Sequence, residues 1–150
     1  MIPRNRYIYI IESVPVLCVD LVLVNRSGKY LLIKRCNEPL KGEWWVVGGR
    51  VHKGETIEEA GRRKAKQEIS VDIYDPTPIG YFEAAHQKHP FGLESVYHAV
   101  SIVLHADIKD EDKIRLDSQS IEWKFSDNLP NLFTVNKFMN CFLNNTNPVT

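Results

Sequence analysis

Several things are scarce in this chain. No stretch comes near the roughly 20 consecutive apolar residues that a membrane-spanning helix needs, and the apolar run Val16 to Val24 is broken by Asp20. The opening residues, Met-Ile-Pro-Arg-Asn-Arg, are too polar for a secretory signal. A cytoplasmic protein with no membrane partner is the expectation. Net charge is missing too: 19 Lys and Arg balance 19 Asp and Glu, so no positive field argues for a nucleic-acid partner. The three cysteines, Cys18, Cys36 and Cys141, are odd in number and lack metal-ligand spacing, which makes reduced thiols the default. Repeats and low-complexity tracts are absent as well. What remains is ordinary globular composition, 43% hydrophobic and 25% charged, and a single domain over 1–150 long enough for a substantial core.

The most informative stretch is Gly48-Gly49-Arg50-Val51-His52-Lys53-Gly54-Glu55-Thr56 with the segment after it. Trp44-Trp45-Val46-Val47 has the composition of a strand, which the glycine pair is expected to end. Two adjacent glycines allow close ligand approach and backbone angles that a Cβ would block. Thr56 followed three residues later by Glu59 has the form of a capping box, so a helix starts at Ile57. At about 100° per residue, Ile57, Ala60, Gly61 and Ala65 share one arc, with Glu59, Arg62 and Lys66 opposite. Glu68 and Lys64 fall within the inward arc, where a charge needs a partner or a cation. Either a Lys64–Glu68 pair or a cation on Glu68 satisfies that demand.

The frame Gly49, five residues, Glu55, seven residues, Arg63, then Glu68 and Val71 resembles the box of the Nudix hydrolases. Where that box has two further glutamates this chain has Lys64 and Gln67, and Ser70 replaces its last glycine. A box reduced to one helix carboxylate is similar to that of the GDP-mannose mannosyl hydrolases. The likeness extends over 15–20, 28–35, 42–55 and 117–125, most of the chain. It implies an α+β fold: a Nudix-like α/β/α sandwich with a mixed β-sheet between helices. It further implies Mg2+, or Mn2+, held by the Gly49 carbonyl, Glu68 and Gln119, with Glu55 and Arg63 fixing the helix against the loop. The reaction implied is attack of water at C1 of a nucleotide sugar, GDP-mannose or GDP-glucose, releasing GDP. Cleavage within the diphosphate is the alternative, and a nucleotide-binding protein with a degenerate site the second alternative.

Other residues gain roles in this frame. Arg35 and Arg50 flank the loop, and a planar guanidinium suits bidentate contact with a diphosphate. Asp20, the acid in the strand over 16–24, either satisfies a local network or contacts the sugar, as the resemblance implies. Tyr7 matches an aromatic residue that the resemblance places against the guanine of a homodimer partner. The residues here are Ser120, Ala84 and Ala99 where that family has two histidines and a tyrosine. The water's base is therefore sought among His86, His89, His98 and Glu122, with His86 and His98 also candidates for substrate contact.

For the remainder, 7–13 reads as an edge strand and 29–35 as the second arm of a hairpin. A rigid turn is expected at 75–78, strands at 79–84 and 96–106, and a histidine-bearing loop at 86–94. On the strand over 96–106, Val96, His98, Val100, Ile102 and Leu104 form the expected apolar face. A charged surface turn at 110–116 precedes a last strand over 121–125, and a core-packed helix is expected over 134–144.

Overall fold

Strand β1 (Val16–Val24) is the axis of the molecule. Its residues alternate between two interiors: Val19, Leu21 and Leu23 face one core, and Val22 faces another. Burial on both faces explains why the run is continuously apolar rather than alternating. The computed structural model describes residues 2–131, and the helix expected over 134–144 lies outside the described residues.

Asn25 turns the chain after β1, its Oδ1 accepting from the amides of Ser27 and Lys29 at 3.0 and 2.9 Å, and β2 (Tyr30–Arg35) returns antiparallel. Strands β3 (Trp44–Trp45) and β4 (Val47–Arg50) follow, then helix α2 (Ile57–Ile69), β5 (Tyr74–Lys88), β6 (Val96–Asp107) and β7 (Ser120–Ser126). The seven strands of the described residues join one mixed sheet. Its main path runs β3-β2-β1-β6-β5, with β4 on β1 and β7 on β2. β1 and β6 are parallel, from Val16 opposite Ala99 to Val24 opposite Asp107. β4 runs antiparallel to β1, setting Asp20 opposite Gly48 and Val19 opposite Gly49. The α+β architecture expected from sequence is present, with a curled mixed sheet and helices packed against it.

Helix α2 begins with the expected capping box: Thr56 Oγ1 accepts from Glu59 N at 3.1 Å, and Glu59 Oε2 accepts from Thr56 N at 2.8 Å. Its buried residues, Ala60, Gly61, Lys64, Ala65, Glu68 and Ile69, form the predicted inward arc. Gly61 is required there, because a Cβ would lie 2.9 Å from Leu104 Cδ1 and 3.1 Å from Leu21 Cδ2. The apolar part of this arc closes the larger core against β1, β2 and β6.

Four expectations change. Residues 7–13 belong to helix α1 (Arg4–Ser13), not an edge strand. The Tyr-Ile-Tyr-Ile alternation looks β-like, but the face used has a period of four, with Tyr7 half-buried and Ile11 buried. The glycine pair lies inside β4 rather than ending a strand. Strand β5 absorbs both the turn at 75–78 and His86, because an edge strand tolerates Pro76 and Pro78 and kinks through register shifts. On β6 Tyr97, Ala99, Ser101 and Val103 are buried, opposite to the face expected, of which Leu104 is the one buried member. Of these, Tyr97, Ala99 and Ser101 line a cavity, and Val103 packs in the second core.

Candidate active site

The parallel β1–β6 pair and the antiparallel β1–β4 pair bring three strands to one opening. Cys18 and Asp20 of β1, Tyr97, Ala99 and Ser101 of β6, and Gly48 to Arg50 of β4 line a cavity of about 150 Å³, with Tyr7 of α1, Arg35 of β2, Trp45 and Phe82 around the rim. Gly48 has no alternative here, since a Cβ would sit on Asp20 Oδ1 and the Val19 carbonyl. Among the described residues, Asp20 is the only carboxylate lining this cavity. Burial pushes its carboxyl up to about 6, opposed by the nearby polar groups of Ser101 and Trp45 and by the charge of Arg35. Cys18 is pushed up to about 12, chiefly by burial and then by Asp20, so its thiol stays protonated near neutrality. Burial also raises the Tyr97 phenol.

A second opening of about 480 Å³ lies beyond Tyr7 and Arg50, lined by His52, Arg63, Lys64 and Gln67. Tyr7 and Arg50 line both openings, with the guanidinium 4.6 Å from the ring centroid. The two cavities are thus neighbours on either side of the Tyr7–Arg50 pair, with Arg35 and Arg50 at the first and Arg50, His52, Arg63 and Lys64 at the second. Arg35 enters from the far side, its Nε donating to the Pro39 carbonyl at 2.8 Å.

The loop between β4 and α2 is locked from below. Arg63 Nε donates to Glu55 Oε1, and one terminal nitrogen donates to Glu55 Oε2 at 2.9 Å and to the Arg50 carbonyl at 3.0 Å. Glu55 Oε2 also accepts from His52 N at 2.8 Å. These bonds hold the Glu55 carboxyl down to about 2, with the Arg63 hydrogen bond the largest cause. Glu55 and Arg63 thus set where the Gly49 and Arg50 backbone lies.

Glu68 and Lys64 form the buried pair at the centre, Nζ to Oε1 2.5 Å. Burial raises the Glu68 carboxyl, and Lys64 opposes it. Gly49, at φ +153°, gives the lysine room: a Cβ there would lie 2.8 Å from Lys64 Cε and 3.1 Å from Nζ.

The remaining sequence candidates lie elsewhere. His98 faces away from the cavity that its neighbours Tyr97 and Ala99 line, 3.5 Å from Glu83. His86 lines a separate groove with Glu38 and Glu94. His89 is buried against Glu12 at 3.1 Å, and Glu122 pairs with Lys34 at 3.6 Å. Gln119 is exposed, whereas Asp117, two residues earlier, donates its amide to the Glu68 carbonyl at 3.1 Å and its charge raises the Glu68 carboxyl. Sequence reasoning missed Asp117, Tyr97 and Ser101. Only the last two had a signal, since they occupy the alternate positions of a strand read on its other face.

The NUDIX domain family model matches residues 14–142. The chain belongs to the Nudix family. Among curated proteins, this Nudix chain is 35% identical over 127 residues to the low-salt glycan biosynthesis protein Agl8 of Haloferax volcanii, covering 82% of this chain and 78% of that one. It is also 35% identical over 119 residues to an ADP-ribose pyrophosphatase of Methanocaldococcus jannaschii, covering 79% of this chain and 66% of the relative. Among solved structures, the MutT protein of Methanosarcina mazei superposes with a TM-score of 0.69 over 90% of this chain and 98% of its own, at 19% identity. The Nudix domain of Shewanella oneidensis NrtR, complexed with ADP ribose, gives 0.60 over 83% and 82%, again at 19%. At such identities the structures establish the fold.

Nudix hydrolases generally use divalent cations, typically Mg2+. The residues present here do not build a resident site for one. Of the expected donors, Gly49 and Glu68 are adjacent to the Lys64 amine and Gln119 is exposed. Among the described residues no three His, Cys, Asp or Glu side chains gather for a metal. Stripping one partner from a buried ion pair costs about 3–5 kcal/mol, which a metal would have to offset to take Glu68 from Lys64.

Proposed function

We propose that this Nudix protein hydrolyses a nucleotide sugar, GDP-mannose or a relative such as GDP-glucose, by attack of water at C1 of the sugar. The observation carrying this reading is the division of carboxylates. The helix supplies one, Glu68, which Lys64 already neutralises, while the sugar-sized cavity holds another, Asp20, beside the arginines. Breaking a phosphorus–oxygen bond calls for metals that generate hydroxide, whereas attack at carbon needs a base near C1 and positive charge on the departing diphosphate. In this reading the sugar occupies the Asp20 cavity. Asp20 takes the proton from water as the C1–oxygen bond breaks. Arg35 and Arg50 receive the charge that develops on the leaving GDP, and Tyr7 and Trp45 supply aromatic surface. A homodimer belongs to the same proposal, supported by the exposed Tyr9, Val14 and Leu17 near the N-terminal helix.

The named ADP-ribose pyrophosphatase relative favours a second reading, cleavage inside the diphosphate. A panel of nucleotide sugars turned over in 18O-labelled water separates the two. Label in the free sugar supports attack at C1; label in a nucleoside monophosphate or sugar phosphate moves the function to the second reading. Tight binding without turnover of any member would overturn both.

A further inference from the structure

The position between Gly49 and Glu68 is occupied by part of the protein itself. Lys64 reaches along α2 so that Cδ, Cε and Nζ pack on Gly49, and the ammonium rests 2.5 Å from Glu68 Oε1. Its side chain is 10% exposed, and the residue lines the opening it shares with Tyr7, Arg50, His52 and Arg63. An ammonium has three donors; the Glu68 carboxylate takes one, and the opening that Lys64 lines also holds Arg50 and His52. Glu68 fixes this charge in place, since a lysine left free would keep about 2 kcal/mol of rotamer entropy to lose on binding.

We propose that Lys64 is a built-in cation for the substrate's diphosphate, held against the Gly49 backbone by Glu68, so that the protein binds a diphosphate group without a divalent metal. The proposal rests on the reading that this site takes a nucleoside diphosphate group, and it deepens that reading by naming the ammonium that would donate to it. It also gives the glycine a task. Gly49 admits the lysine stem, and any side chain there would displace it.

Calorimetric binding of inorganic pyrophosphate and of GDP, in EDTA and then in Mg2+, tests this without relying on turnover. The wild-type protein is expected to bind both in EDTA. Lys64→Met is expected to weaken that binding by about tenfold to a hundredfold, the range for a charge-assisted hydrogen bond. Because Lys64→Met leaves Glu68 buried without a partner, Lys64→Met/Glu68→Gln is measured beside it. This double variant carries no unpaired charge and is expected to show the same loss. Lys64→Glu supplies a second carboxylate and is expected to bind Mn2+, read by its electron paramagnetic resonance signal, more tightly than the wild type. Wild-type binding that needs Mg2+, or a folded double variant that binds pyrophosphate in EDTA as tightly as the wild type, would overturn the proposal. Failure of the nucleotide-sugar reading shows instead in the position of the 18O label, so the two failures are distinguishable.

Discussion

Asp20 combines a cost to the fold with a use in the site. Its folded carboxyl titrates near 6 against 3.8 for an ordinary aspartate, because burial disfavours the charged form. The folded state therefore holds a proton between about pH 4 and 6 that the unfolded state has released, and stability declines as pH rises through that window. Above pH 6 the penalty is constant, at most about 3 kcal/mol at 1.36 kcal/mol per unit, reduced by water in the open cavity. Asp20→Asn is expected to raise the melting temperature at pH 7 and to leave it unchanged near pH 3.5. The same substitution is expected to lower kcat by about 10²- to 10⁴-fold as the base is lost. Wild-type kcat/KM should climb with pH to a plateau above about 6. A climb continuing towards pH 9, or an Asp20→Asn protein with full activity, would remove the base from Asp20.

At the scale of elements, α2 is the part whose ends and faces were readable in advance, and its one irregularity is at the C-terminus. Ser70 caps it in the left-handed region at φ 62°, where glycine has no Cβ penalty, although its Oγ recovers a bond of 3.2 Å to the Arg115 carbonyl. Ser70→Gly is expected to stabilise the protein by about 1 kcal/mol, or roughly 2–4 °C in a chain of this size. Thermal unfolding checks this, and a drop would mean that the Arg115 contact outweighs the backbone strain. Thr56 and Glu59 marked the start of this helix because capping is local chemistry between residues three apart. The buried Lys64 and Glu68 were legible for a related reason: helical periodicity assigns each residue a face. Strand β6 and helix α1 were misread because their faces depend on distant partners. The sheet is buried on both sides, so apolar alternation in β6 does not say which side opens onto a cavity. Residues 7–10 alternate Tyr and Ile with no signal that residue 11, one turn beyond Tyr7, is the one that packs. Gln119 against Asp117 is a matter of two residues in a loop, which no periodicity resolves.

At the scale of the molecule, the described residues form three apolar clusters of unequal size. Two fill the faces of the sheet, while the third, Ile11, Val16, Tyr97 and Ala99 with Tyr7, Cys18 and Phe91 at its edge, is the apolar cluster that seats α1. Only Ile11 of that helix is buried. Polar contacts supplement it: Glu12 accepts from Ser95 Oγ at 2.6 Å and lies 3.1 Å from His89 Nε2, while Arg4 packs over Phe91 at 5.0 Å. Few buried apolar contacts make for a low local opening free energy, and α1 carries Tyr7, which lines both openings of the candidate site. If Tyr7 contacts the substrate as proposed, opening of α1 is expected to be coupled to substrate binding. Glu12→Ala is expected to speed hydrogen exchange in the amides of α1 while leaving those of α2 and β1 slow, and to raise KM with little change in kcat. Replacing Glu12 removes the one carboxylate oxygen shared by Ser95 Oγ and buried His89 Nε2, so the effect on α1 should exceed that of removing an exposed surface pair, typically about 0–1 kcal/mol. Uniformly faster exchange across all elements would show that α1 unfolds only with the sheet, and the clamp would then be part of the core rather than a separable lid over the site.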